Sequence, residues 1–316
     1  MTWDIDKNMP VLPGKVAIVT GGNTGIGKET VRQLARRGAK VYMASRTESR
    51  ANAAIEEITA KHPEIAEKGG SIVFLELNLC DLKACQAAAQ EFLRKEERLD
   101  ILVNNAGIMA TPFELTQDGF EVQFQTNHLG HFAFTLPLLP TIIETAKDPS
   151  NSVRIVQVSS YGHDIFSSND IKFDSIESVN RDLGSPLKRY GQSKLANILF
   201  STELSRRLAE HRIWCSAIHP GAVQSELTRG TVQSYPWTKP FIPLISYFLF
   251  TPYKGALTAL YAATAEEIEK EDLRGQYFVP LAKHTQPSKQ AQNEQLAKEL
   301  WEFSERVITE KCGGLS

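Results

Sequence analysis

The 316-residue sequence predicts a single α/β domain, a doubly wound parallel sheet with helices on both faces in three layers. Three observations predict it. Short apolar runs alternate with helix-period stretches from Val16 to Val279, the pattern of strands buried between helices. The first run, Val16 to Thr20, breaks into Gly21-Gly22-Asn23-Thr24-Gly25-Ile26-Gly27 and then opens a helical pattern. The length and a 42% hydrophobic content would let one domain bury a sizeable core.

The strand, turn and helix at Val16–Arg37 organise the rest. Gly25 and Gly27 let the backbone approach a phosphate that a side chain would block. The helix start supplies unpaired N–H groups and the positive end of a dipole, which together suit a dinucleotide pyrophosphate. This is the Rossmann-type arrangement.

Composition excludes other classes. A net charge of −2, with no Lys/Arg cluster interleaved with aromatics, argues against nucleic acid binding. Cys80, Cys85, Cys215 and Cys312 show neither metal-ligand spacing nor a disulfide framework, which fits reduced thiols and a cytoplasmic location. Residues 1–14 read as an N-terminal extension. It carries Asp4, Asp6 and Lys7, lacks a signal-peptide core, and nothing there spans a membrane.

Further elements follow in order. Gly38 stops the first helix, Val41–Ala44 is the second strand, and Ala51–Lys61 a helix. Ile72–Leu75 is a third strand ending near Asn78-Leu79, with Asp81 as N-cap of a helix from Leu82 to Lys95. Leu99–Val103 is the fourth strand and runs into Asn104-Asn105-Ala106-Gly107, whose small residues permit close approach to a cofactor. Phe120–Leu139 is helical in period and holds Asn127, His128 and His131. The two histidines share a face but lack a third ligand, so they read as packing or polar-surface groups rather than a metal site.

Val153–Ser160 is a fifth strand ending in two hydroxyls, where groups project from an open parallel sheet. Gly162–Arg189 is polar and reads as loop with little regular structure, an insert walling the substrate pocket. A long amphipathic helix from Tyr190 to Leu208 sets Tyr190 and Lys194 one turn apart on one face. An ammonium there favours the tyrosine phenolate. Ile213–Ile218 is the sixth strand, Lys254–Ala265 a helix, and Gln276–Val279 the last strand. Within the segment 226–253, Trp237–Tyr253 is apolar and aromatic but broken by Pro240, Pro243 and Pro252, too short to span a bilayer. It reads as a lid over an apolar substrate, with a membrane-surface or oligomer contact as the alternative. The tail 283–316 carries a helical stretch around Ala291–Ile308.

Thr20-Gly21 with Gly25 and Gly27, the Asn104–Gly107 block, and Tyr190 with Lys194 occur in the order that resembles the short-chain dehydrogenase/reductase family. The resemblance covers roughly residues 15–280, so the domain is taken as 15–282. The phrases Asn127–Phe132 and Ser193–Phe200 look like the retinol-dehydrogenase-like branch, whose members often carry an N-terminal anchor that residues 1–14 are not expected to form.

The resemblance implies the site. Ser160 would hold the substrate carbonyl, with Ser159 second choice; Tyr190 would move the proton. Lys194 would tune Tyr190 and bind the nicotinamide ribose, and Asn127 would hold a water through its amide or a local carbonyl. Cofactor contacts fall on Gly21, Asn23, Thr24, Gly25, Ile26 and Gly27, on Ser45 and Arg46, on Asn78 and Leu79, on Asn104, Ala106 and Gly107, and on Val223 and Ser225. NAD-binding relatives place an acid at the second strand end; Ser45 and Arg46 there suit a 2′-phosphate, hence NADP(H). No metal is implied. The expected activity is NADP-dependent interconversion of an apolar ketone or aldehyde with its alcohol, acting as a carbonyl reductase. A cofactor sensor and a carbon–carbon double-bond reductase are the alternatives. Homo-oligomers through the long helices remain open, since this branch includes monomers.

Overall fold

The computed structural model describes residues 3–168, 170–241 and 249–313. Its centre is an eight-stranded sheet in the order β3-β2-β1-β4-β5-β6-β7-β8. The strands are β1 (Val16–Thr20), β2 (Lys40–Ser45), β3 (Ser71–Glu76), β4 (Ile101–Asn104), β5 (Val153–Val158), β6 (Ile213–Ile218), β7 (Gln276–Val279) and β8 (Lys283–Thr285). The first seven are parallel and β8 pairs antiparallel with β7. β1, β4, β5 and β6 are buried along their whole length, as strands between two helix layers are.

One face is covered by α1 (Gly25–Arg36), α2 (Glu48–Lys61) and a later helix, here α7 (Pro252–Thr264). The other carries α3 (Leu82–Leu93), α4 (Gly130–Ala146), α5 (Pro186–Arg207) and α8 (Glu294–Cys312). A shorter α6 (Thr228–Ser234) follows β6. Strand order reverses between β1 and β4, which opens a crevice at their C-terminal ends.

Asp81 caps α3, its carboxylate accepting from the Ala84 amide, as its sequence position predicts. Three expectations need correction. The helix expected over Phe120–Leu139 starts at Val122, widens into a π-turn at Gln125–Leu129, and continues as α4 to Ala146. Gly162–Arg189 is not simply loop: it contains helical turns at Gly162–Ile165 and Ile176–Val179, and α5 begins at Pro186, with the Ser185 hydroxyl capping the Leu187 amide. β8 has no counterpart in the sequence reading because Lys283-His284-Thr285 presents no apolar residue.

Residues 3–14 do not hang free. Ile5, Met9 and Leu12 are buried against the α1 and α7 side, and Trp3 meets Tyr261 edge-on at 5.8 Å. At the other terminus α8 lies on α5 and α3, with the Trp301 ring 5.1 Å from Phe132 and 5.9 Å from Phe200. Of the proposed lid, residues 242–248 lie outside the described residues. Before them α6 packs against the loop after β4, where the Ser234 hydroxyl donates to the Ala110 carbonyl at 2.6 Å. After them Phe250 pairs with Val223 beside β6. No helix among the described residues is long and apolar enough to cross a membrane.

Candidate active site

The Thr20 hydroxyl ties the start of the glycine turn to the loop after β4 and to His131. The Thr20 hydroxyl accepts from the backbone amides of Asn105 and Ala106, each at 2.9 Å, and lies 2.8 Å from His131 Nε2. With two N–H groups pointed at it, Thr20 Oγ1 donates its own hydrogen to Nε2. The other ring nitrogen of His131 then donates to the Asn127 carbonyl at 3.0 Å. Burial holds this imidazole neutral, its pKa pushed down to about 4, so the chain of donors has one direction. The Asn105 side chain adds a bond to the Thr20 carbonyl at 2.8 Å.

Asn105 is a site residue the sequence reading quoted but did not select. Asn104, which it did select, turns its side chain into the helix layer and donates to Thr135 at 3.0 Å. His128 and His131 are likewise buried to 1% exposure, not on a polar surface. Among the described residues no group of three His, Cys, Asp or Glu side chains is placed to hold a metal.

Gly27 allows the close approach on which the turn depends. A Cβ there would stand 2.3 Å from the Gly21 carbonyl oxygen and 2.5 Å from Asn105 Nδ2. Gly27→Ala is therefore expected to lower Tm by about 5 °C or more, because rigid backbone must move. A thermal melt within a degree of wild type would contradict that reading of the turn.

A nicotinamide dinucleotide fits the crevice on three counts. The α1 N-terminus has no acidic residue in its first turn, and the Thr24 side chain does not cap it, leaving amides open to a phosphate. Gly25, at φ +53°, brings the turn within reach of the β6 loop: a Cβ on it would be 3.2 Å from Ser225 Cβ. Val223 in the same loop packs against Gly255 of α7, next to Ile26. At the end of β2 the Ser45 hydroxyl is buried with no partner among the described residues, and the neighbouring Arg46 is exposed. The half-buried Asn23 flanks the turn. Beyond β3, Asn78 closes a local turn onto the Cys80 amide at 3.2 Å, and Leu79 is buried under Gly130.

The serines and the tyrosine–lysine pair singled out in the sequence meet where the end of β5 faces α5. Glycine 162, after β5, and glycine 191, on α5, meet without side chains: a Cβ on Gly191 would be 2.8 Å from the Gly162 carbonyl oxygen, and one on Gly162 3.0 Å from the Tyr190 ring. This contact sets Tyr190 beside Ser160. The two serines divide their work, since Ser159 Oγ donates to the Lys194 carbonyl at 2.7 Å while Ser160 Oγ accepts from the Gly162 amide at 3.1 Å and faces the phenol.

Lys194 Nζ donates to the Val158 carbonyl at 2.9 Å and stands 5.8 Å from the Tyr190 ring centroid. Gly107 leaves room above it: a Cβ there would be 3.3 Å from Nζ. Asn127 is held by three bonds, accepting from the Ile108 amide at 2.8 Å and donating to the Ile108 carbonyl at 3.0 Å and to Ser193 Oγ at 2.8 Å. Both hydrogens of its amide are thus spent within the protein. It lies in the π-turn Gln125–Leu129, a common device at functional sites.

Among the chain's own groups, burial outweighs the ammonium that was expected, with an oxidised nicotinamide, to favour a phenolate. Burial pushes the Tyr190 phenol up to about 12, with Ser160 pulling it slightly back, and burial pushes Lys194 down to about 7. Both groups are driven toward their neutral forms.

The family profile described as short chain dehydrogenase matches residues 15–166. Mouse retinol dehydrogenase 11 is 43% identical over 295 residues, covering 93% of this chain and 86% of its own length. The chain belongs to the short-chain dehydrogenase/reductase family. An uncharacterized oxidoreductase of Schizosaccharomyces pombe is 41% identical over 303 residues, with 96% and 87% coverage. These relatives place the chain on the retinol-dehydrogenase-like branch of the short-chain dehydrogenases. A solved structure from Mycobacterium paratuberculosis matches with TM-score 0.73 and 32% identity over 98% of both chains. The NADP complex of Pseudomonas aeruginosa RhlG, at TM-score 0.63 and 24% identity over 85% of this chain and 95% of that one, shares the fold. As a short-chain dehydrogenase/reductase the chain is an oxidoreductase of nicotinamide-cofactor type that interconverts alcohol and carbonyl groups by hydride transfer.

Proposed function

We propose that this chain is an NADP(H)-dependent reductase of apolar ketones or aldehydes. The observation that carries the reading is the pairing of the Ser160 hydroxyl with the buried Tyr190 phenol, which together can hold a carbonyl oxygen and give it a proton. Alcohol oxidation would need the phenolate. Ser160 presents its hydroxyl to the same oxygen, fixing the carbonyl against the phenol. The bound nicotinamide would supply the hydride.

Lys194 anchors the site from below and, near its depressed pKa, passes between ammonium and amine around neutrality. Gly107 leaves its amine open toward the nicotinamide ribose. The Asn127 carbonyl, already receiving one proton donor from His131, has a second lone pair for a water that would resupply the phenol. The Asn127 amide serves as the strut that holds this carbonyl in place. For the substrate, Ile108 and Met109 follow the cofactor loop, and α6 closes on them, since a Cβ on Gly230 would stand 2.1 Å from the Met109 oxygen. That wall suits apolar carbonyl compounds.

Preference for NADP(H) rests on Ser45 and Arg46, the buried hydroxyl without a partner among the described residues and an exposed guanidinium beside it. NADPH and NADH oxidation measured side by side with nonanal, retinal and steroid ketones, and with product analysis, tests the reading. Turnover with NADPH to the alcohol supports it; alkene reduction or strict use of NADH overturns it. Arg46→Asp is expected to shift kcat/KM toward NADH by roughly tenfold or more, as a carboxylate replaces a phosphate-binding cation.

A further inference from the structure

We propose that His163 is a positioning residue for Ser160, holding the serine backbone against the segment that follows β8; the proposal rests on the role given to Ser160 above. His163 sits in the helical turn Gly162–Ile165 and is 1% exposed. Its Nδ1 is 2.7 Å from the Ser160 carbonyl oxygen, and its Nε2 is 3.1 Å from the Ser288 amide nitrogen.

A backbone amide can only donate. Nε2 is therefore the bare nitrogen, and the ring hydrogen lies on Nδ1, pointed at Ser160. Both nitrogens are thus committed, one to the serine at the end of β5 and the other to a residue 125 positions away. Tyr277 of β7 closes the edge of the ring at 5.3 Å and Tyr161 stands at 6.4 Å, nearly perpendicular in both cases. Asp164 and His219 are the nearby titratable groups besides these tyrosines. Burial lowers the imidazole pKa, which keeps the neutral form that this double bond requires.

The consequence for catalysis is geometric. Ser160 Oγ is oriented by the Gly162 amide, and the carbonyl of the same residue by His163, so the turn is fixed at both ends. Residues 286–293 carry no regular structure of their own, yet through Ser288 they set where this turn lies.

Three substitutions separate the two bonds. Asparagine places an amide nitrogen near the Nδ1 position, glutamine places its amide near Nε2, and phenylalanine keeps the ring without either nitrogen. With NADPH and nonanal, His163→Phe and His163→Gln are expected to lose about thirtyfold in kcat, with the KM for NADPH unchanged, and His163→Asn to recover at least about tenfold of that loss. Equal kcat in the Asn and Gln variants, or a Phe variant within about twofold of wild type, overturns the proposal.

Ser160→Ala is measured alongside. If it retains turnover, the serine assignment fails; if it collapses while His163→Phe does not, only the positioning role fails. Should the phenylalanine variant not fold, the Asn and Gln pair decides. Imidazole nitrogen NMR supplies a reading independent of turnover: His163, identified by its loss in any of the variants, is expected as the Nδ1–H tautomer, and an Nε2–H or rapidly exchanging ring overturns the geometry.

Discussion

Tyr190→Phe is expected to lower kcat for carbonyl reduction by about 10²–10⁴ while leaving NADPH binding within twofold or so, because the variant lacks only the acid. The ring itself will still fit. It packs in the space left by Gly162, where the neighbouring backbone meets its edge, and the phenol oxygen is the sole atom removed. The burial that pushes this phenol up to about 12 also separates the two directions of the reaction. Reduction consumes a phenolic proton that is present throughout the neutral range, whereas alcohol oxidation needs that proton gone and should climb as pH rises. Stopped-flow rates in both directions from about pH 6 to 10 check this. A variant that keeps more than a tenth of wild-type reduction would place the acid elsewhere.

Lys194→Met is expected to combine loss of activity with a gain in stability. The folded chain releases the Lys194 proton near 7, and the unfolded chain near the ordinary 10.5. Between those values the unfolded state binds the extra proton, so stability rises with pH across that window. Below it the cost of burying the charge is felt in full, on the order of a few kcal/mol. Methionine matches the lysine stem in length and removes the charge. Its Tm should exceed wild type by roughly 5 °C or more near pH 6, with the gain shrinking toward pH 10. Turnover should fall by about 10² or more because the ribose anchor and the tyrosine partner are both gone. A Tm difference that does not change with pH would show that the ammonium is not buried at a cost.

These effects trace to residues that differ in how far the sequence exposes them. β6 and β7 were legible to the residue, as Ile213–Ile218 and Gln276–Val279, because a strand buried in a sheet is an apolar run with abrupt ends. Tyr190, Lys194 and the glycine turn were legible as spacings. The π-turn at Gln125–Leu129 was not, since one added residue barely disturbs helical periodicity. His163 left no signal because its partners are backbone atoms, one of them 125 residues away. The docking of α8 was equally hidden. Its apolar stripe shows that it is covered, but not that α5 and α3 cover it. The proposed substrate wall rests on loop 108–111 and α6, and part of the aromatic stretch from which a lid was expected, residues 242–248, lies outside the described residues.

The Thr20 hydroxyl also bears on the order in which the molecule is made. Its amide donors lie 85 and 86 residues downstream and its imidazole partner 111 residues downstream. A chain that has left the ribosome only as far as β3 has the whole glycine sequence and the Ala44 carbonyl that accepts from the Gly21 amide, but neither the amides nor the imidazole that meet the Thr20 hydroxyl. The fingerprint is local in the gene and non-local in the fold, so cofactor affinity is acquired only after most of the sheet has assembled.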